Sequence, residues 1–187
     1  MVSMLEKIKS VLMTPDKFFA SITKEKGYGE PLKYLAATSL VGTIGSIIVL
    51  NAAINLAPSN PIYQTLSGSL GIAMYALFWG LGIILSFATV AVMHVFVYLF
   101  GGRNGYMQSY KAAIYGQTAG NLIGWIPYIG ILANLYSVYL TIKGISLLQN
   151  MSMGRAVAVI VVPILVIVVL AFVLVGAAVL AILGARA

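Results

Sequence analysis

His94 is the only histidine in the 187-residue chain, cysteine is absent, and all four acids (Glu6, Asp16, Glu25 and Glu30) lie before residue 31. Those facts limit the available chemistry. Without cysteine there is no thiolate nucleophile, disulfide or zinc–thiolate site, and one imidazole does not make a protein-only metal cluster. General acid–base catalysis draws mainly on carboxylates and histidines, and past Glu30 no carboxylate side chain remains. Proton-coupled carriers usually place an acid inside a span, so that mechanism is also poorly served. The expectation is a non-enzymatic protein with no catalytic residue, metal, cofactor or nucleic-acid partner.

The basic residues suggest more. Lys111 and Lys143, with Arg103, Arg155 and His94 near them in the linear order, fall at the ends of apolar runs. A lysine about one turn from an interface can snorkel its ammonium toward water. Alternatively it binds an anionic lipid headgroup, because the later chain offers no acid to pair with it. Glu25 and Glu30 are the internal competitors for such a role.

A second group is uncharged. Tyr110, Gln117 and Asn121 recur roughly on one helical face, and Asn51, Asn55 and Asn134 are the amides expected to approach Asn121. Buried amides in hydrocarbon need partners, so this set reads either as structural glue or as the lining of a polar pathway. On another face of the same segment, Ala112, Gly116, Gly120 and Gly124 fall every fourth residue. Small residues at that spacing allow backbones to approach closely in lipid, either within the bundle or across a homo-oligomer seam.

The elements that must carry these residues follow from composition. The chain is 61% apolar and 8% charged, against roughly 45–50% and 25% for an ordinary soluble domain. At roughly 20 residues per membrane-spanning helix, there is room for about five spans. No charge occurs from Tyr34 to Gly102, and the Ala57-Pro58-Ser59-Asn60-Pro61 and Ser67-Gly68-Ser69 clusters interrupt that run. Spans are expected at about 31–56, 70–100, 107–126, 131–148 and 156–183, with turns at Gly101-Gly102-Arg103-Asn104-Gly105 and Pro127-Tyr128-Ile129-Gly130. Residues 1–30 are expected to form a short amphipathic segment, either lying in the cytoplasmic interface or packed as a pre-span cover on the bundle: Leu5, Ile8 and Leu12 recur at helical spacing, and Thr14-Pro15 starts a second helix. The fold class is all-α, a multi-pass membrane protein.

Orientation follows from the basic residues. With five spans, ten of the eleven Lys and Arg fall on one side and only Arg186 on the other. That side is cytoplasmic by the positive-inside rule, which puts the N-terminus inside the cell membrane and the C-terminus outside.

The ordered motifs Thr14-Pro15-Asp16-Lys17-Phe18-Phe19, Gly29-Glu30-Pro31-Leu32-Lys33-Tyr34-Leu35, His94, Gly101-Gly102-Arg103-Asn104-Gly105-Tyr106, Ile126-Pro127-Tyr128-Ile129-Gly130 and the 136–144 stretch resemble the YIP (Ypt-interacting-protein) domain family. The resemblance implies five spans with a cytoplasmic N-terminus. Eukaryotic members are associated with small GTPases and vesicle traffic, and they carry a long acidic, proline-rich cytoplasmic extension. The short, basic N-terminal segment here does not favour a GTPase partner. The expected function is membrane organisation through a basic face on anionic lipid. A small-solute channel or transporter using the polar face of span three is the alternative.

Overall fold

The computed structural model describes residues 3–56 and 69–184, all of it helices joined by short turns. In chain order the helices are α1 (Met4–Met13), α2 (Pro15–Ser21), α3 (Gly29–Leu56), α4 (Ser69–Leu99), α5 (Tyr106–Gly116), α6 (Thr118–Ile123), α7 (Ile129–Leu148) and α8 (Met153–Gly184). Residues 57–68, which hold most of the expected turn between the first two spans, and Arg186 lie outside the described residues.

Among the described residues, four helices are long and apolar enough to cross a membrane: Gly29–Leu56, Gly71–Leu99, Ile129–Leu148 and Met153–Ala178. The segment expected as a continuous third span is two short helices, α5 and α6, separated at Gln117. Hydrogen bonding explains the break. The Gly120 N–H, which would continue the helix to the Gly116 carbonyl, donates to Ser137 Oγ of α7 at 2.7 Å. The Thr118 hydroxyl turns back on the Tyr115 carbonyl. Such side-chain competition for backbone groups is a known cause of helix distortion.

α5 and α6 still run antiparallel to α7 along its whole length. A Cβ on Gly144 would sit 3.0 Å from the Cα of Ala112, and one on Gly116 would sit 2.7 Å from the Cα of Thr141. Further along, Gly120 lies against Asn134 and Ser137, and Gly130 lies against the Gly124 carbonyl. The small-residue stripe of α5–α6 is therefore covered by α7 of the same chain. Residues Ser109–Gly116 are all buried, which puts α5 at the centre of the bundle. By contrast, α8 carries a broad exposed apolar surface from Ile164 to Val175 and packs mainly through its start, at Ala156 and Val159.

The turns follow local chemistry. α4 ends with Gly101 at φ 99°, and the Gly102 N–H reaches the Val97 carbonyl at 2.8 Å. That is the Schellman arrangement, for which glycine is the favoured residue. α7 ends the same way on Asn150 at φ 54°, with the Met151 N–H on the Ser146 carbonyl at 2.9 Å.

Candidate functional site

Two regions hold the polar side chains. The first is the end of the bundle where α1 and α2 fold back as a helical hairpin. Ser3 and Glu6 form a reciprocal capping box at the start of α1. Hydrogen bonds from the Ser3 backbone and side chain hold the Glu6 carboxyl below its ordinary range. Pro15 opens α2, where its missing N–H costs nothing. Thr14 itself makes no capping bond; its hydroxyl turns back to the Ser10 carbonyl at 3.2 Å. Val11, Phe18 and Phe19 are buried, and the Phe18 ring meets Tyr115 edge-on with centroids 4.9 Å apart.

Polar bonds then fasten this hairpin to the bundle. Lys111 is 0% exposed, and its Nζ donates to the carbonyls of Ile22 at 2.6 Å and Glu25 at 3.1 Å. A cation at the last carbonyls of a helix is favourable both as a hydrogen-bond donor and against the helix dipole. Gln108 Nε2 holds the Thr23 carbonyl at 2.8 Å. Lys143 pairs with Asp16 at 2.7 Å, Lys7 with Glu30 at 2.6 Å, and Tyr136 donates to the Leu12 carbonyl at 2.6 Å. Lys111 thus neither snorkels nor faces a headgroup; its ammonium is a buried helix clamp. Lys143 has found an acid that lies outside the pair expected to compete, while Glu30 is taken by Lys7 and, at 3.7 Å, by Lys33.

Three of the four carboxylates are therefore engaged in ion pairs or a cap, and Glu25 is half-buried beside the hairpin turn. Among the described residues, Lys9, Lys17, Lys24, Lys26, Arg103 and Arg155 are exposed without an acid inside 4.0 Å. A crevice of about 330 Å³ opens between α1 and α2, lined by Lys7, Ser10, Thr14, Lys17, Ser21 and Glu25 among others.

The loop after α4 closes the same end. Gln149 Nε2 donates to the Gly105 carbonyl at 2.8 Å and to Ser109 Oγ at 2.9 Å, and its Oε1 accepts from the Asn104 N–H at 2.9 Å. His94 Nδ1 shares a 2.8 Å hydrogen bond with Ser109, so the imidazole belongs to this loop-fastening network. Arg103 lies over the Tyr98 ring at 3.8 Å, its Nη1 donates to the Tyr98 and Gly102 carbonyls, and the residue as a whole is exposed. Arg155 approaches Gly101.

The second region is a cavity of about 510 Å³ between α3, α4, α6 and α7, with Ser39, Thr43, Ser46, Tyr75, Trp79, Asn121, Trp125 and Asn134 in its walls. Of the expected amide and hydroxyl cluster, only Asn121 and Asn134 meet here. Tyr110 stacks on Phe87 and bonds Ser86, well away from the cavity lining, and Gln117 is exposed at the helix break. Asn51 folds back on its own helix at the Ile47 carbonyl, and Asn55 is exposed near the end of α3. The partner of Asn121 is Thr38, at 3.2 Å, rather than another amide. Sequence reasoning missed Ser39, Thr43 and Ser46, although their spacing of four and three places them on one face of α3 together with Gly42. It also missed Trp79 and Trp125.

An all-helical bundle with four apolar helices of spanning length, tied together by small-residue packing, defines an integral, multi-pass membrane protein. The Yip1 domain family model matches residues 9–175, from within α1 to the exposed part of α8, and the chain belongs to that family. The family is not known for an enzymatic activity. No curated protein and no solved structure matches the chain.

Proposed function

We propose that this Yip1-family protein is a non-enzymatic scaffold of the cell membrane. It crosses five times, with its N-terminus cytoplasmic and its C-terminus outside, and holds anionic lipid on its cytoplasmic face. Counting α5–α6 as one interrupted span follows from their pairing with α7. The 20 residues of α7 rise about 30 Å, the thickness of the hydrocarbon core, and α5–α6 accompany them from end to end. Broken helices are tolerated at membrane depth where they are buried in protein, as α5 is.

The observation that carries the lipid reading is the division of charge at the hairpin. The acids serve the fold, through the Asp16–Lys143 and Glu30–Lys7 pairs and the Ser3–Glu6 cap. Lys9, Lys17, Lys24 and Lys26 are left exposed without an acid inside 4.0 Å, and Lys17 lines the crevice of about 330 Å³, which Glu25 also lines. Each such lysine near an anionic leaflet contributes about 1 kcal/mol. The lipid-facing set expected from the sequence is thereby revised: Arg103 and Arg155 stay, while the hairpin lysines replace Lys111 and Lys143.

The test is native mass spectrometry of the full chain released from nanodiscs containing phosphatidylglycerol and phosphatidylcholine. Wild type should retain phosphatidylglycerol selectively, and K9Q/K17Q/K24Q/K26Q should lose that selectivity by about tenfold or more. Equal retention by the two proteins overturns the reading. The solute-pathway alternative gains less support. Between the cavity and the cytoplasmic end lie the buried side chains of Tyr34, Tyr115 and Phe18, packed edge to face, with Tyr34 hydrogen-bonded to Thr118 at 2.8 Å.

A further inference from the structure

The cavity between α3, α4, α6 and α7 has a hydrogen-bonding bias that restricts what can occupy it. Five of its wall residues carry a single polar hydrogen that is already committed within the protein. Ser39 donates to the Leu35 carbonyl at 2.6 Å, Thr43 to the Ser39 carbonyl at 3.0 Å and Ser46 to the Gly42 carbonyl at 2.9 Å. Trp79 Nε1 donates to Ser39 Oγ at 3.0 Å and Trp125 Nε1 to the Leu122 carbonyl at 2.7 Å. One amide hydrogen each of Asn121 and Asn134 is committed as well, to Thr38 and to the Gly130 carbonyl. What remains for an occupant is weighted toward acceptors, the two amide oxygens and the remaining lone pairs of the serine and threonine hydroxyls, with the second amide hydrogen of each asparagine and the Tyr75 hydroxyl as donors.

Among the described residues, no Lys, Arg, His, Asp or Glu lines this space. A charged ligand there would be desolvated without compensation, at a cost of several kcal/mol. Indole and phenol rings, from Trp79, Trp125 and Tyr75, complete the wall and offer flat faces to C–H surfaces. At about 510 Å³ the space falls within the 300–1,000 Å³ range of small-molecule sites. From this we infer that the cavity binds an uncharged polyhydroxyl group, of the kind presented by a glycosyl lipid headgroup or by a free sugar. Its hydroxyls donate to Asn121 and Asn134 while its ring face stacks on an aromatic side chain. The inference stands apart from the cationic hairpin and survives if that reading fails.

Two features make the test clean. Trp79 and Trp125 are the only tryptophans in the chain and both line the cavity, so tryptophan emission, excited where tyrosine does not absorb, reports on this space. Gly82 also lines it, and a Cβ built there meets nothing within 4 Å; Gly82→Leu therefore starts its side chain in open space at the cavity wall. The full chain in phosphatidylcholine nanodiscs is titrated with monoglucosyldiacylglycerol, with free glucose, and with phosphatidylglycerol as the charged control. A saturable change in tryptophan emission is expected with the glucolipid and not with phosphatidylglycerol. Its half-saturation point should rise by about tenfold or more in Gly82→Leu and in Asn134→Leu, as one lost interaction of 1.4 kcal/mol would give. A response to glucose as well identifies the sugar as sufficient; a response to the glucolipid alone shows that the acyl chains contribute. Absence of saturation with both sugar probes, or an unchanged curve in Gly82→Leu, overturns the inference.

Discussion

The hairpin end and the intramembrane cavity solve the problem of polar groups in opposite ways. At the hairpin, charged groups reach across long stretches of sequence to one another or to backbone carbonyls. Asp16 meets Lys143, Glu30 meets Lys7, and Lys111 meets Ile22 and Glu25. In the cavity no charge is used, and most hydroxyls are satisfied by a carbonyl three or four residues back on their own helix. Long-range polar bonds fix tertiary structure, so the hairpin is an integral part of the bundle. Local bonds cost the fold little and leave lone pairs facing an open space, so the cavity walls are organised without being filled.

That contrast predicts unequal responses to substitution. The largest loss should come from Lys111→Met, which keeps the apolar stem and removes the buried donor. With two charge-assisted hydrogen bonds lost, and the Ile22 carbonyl keeping only its bond from the Glu25 N–H, destabilisation of about 3 kcal/mol is expected. It would be read as a lower melting temperature in detergent and faster proteolysis at residues 22–26. Wild-type stability in this variant would mean the hairpin is merely laid on the bundle. Gly116→Val comes next: its Cβ collides with the Thr141 backbone, and overpacking of this kind costs about 1–3 kcal/mol. The same substitution at Gly82, facing the cavity, should leave the melting temperature unchanged. Asp16→Asn should cost under about 1 kcal/mol, because the pair with Lys143 is partly exposed and screened.

The smallest effect concerns pH. Hydrogen bonds from Ser3 lower the Glu6 pKa from 4.5, so the capping box is fully present above that value and is lost as pH falls through the depressed folded-state value. Protection of the first-turn amides of α1, taken relative to their intrinsic exchange rate at each pH, should fall on acidification in wild type, and Ser3→Ala should abolish that dependence.

The residues show how much of this was legible beforehand. The apolar runs that lie in α3, α4, α7 and α8 could be read as helices because charges and Pro/Gly clusters bound them. The Ala112–Gly124 stripe could be read because a four-residue spacing is a property of one helix. The break at Gln117 could not, since its cause is Ser137 of α7 accepting from the Gly120 N–H. Lys111 was misjudged for a similar reason. Its partners are backbone carbonyls 86 and 89 residues away, and carbonyls carry no signature in a sequence. The cavity was half visible: Asn121 and Asn134 stood out as amides in apolar runs, whereas Ser39, Thr43 and Ser46 were masked by the frequency of serine and threonine in spanning helices.

The proposed crossing of the membrane by α5–α6 alongside α7 is what would gather the cations on one face. The natural absence of cysteine allows a direct measurement by single-cysteine labelling at exposed positions Arg103, Tyr128 and Ser152. An impermeant maleimide added to intact cells should label Tyr128→Cys, and should reach Arg103→Cys and Ser152→Cys only after the cells are opened. Labelling of Arg103→Cys and Tyr128→Cys from the same side would contradict the interrupted span and the orientation built on it.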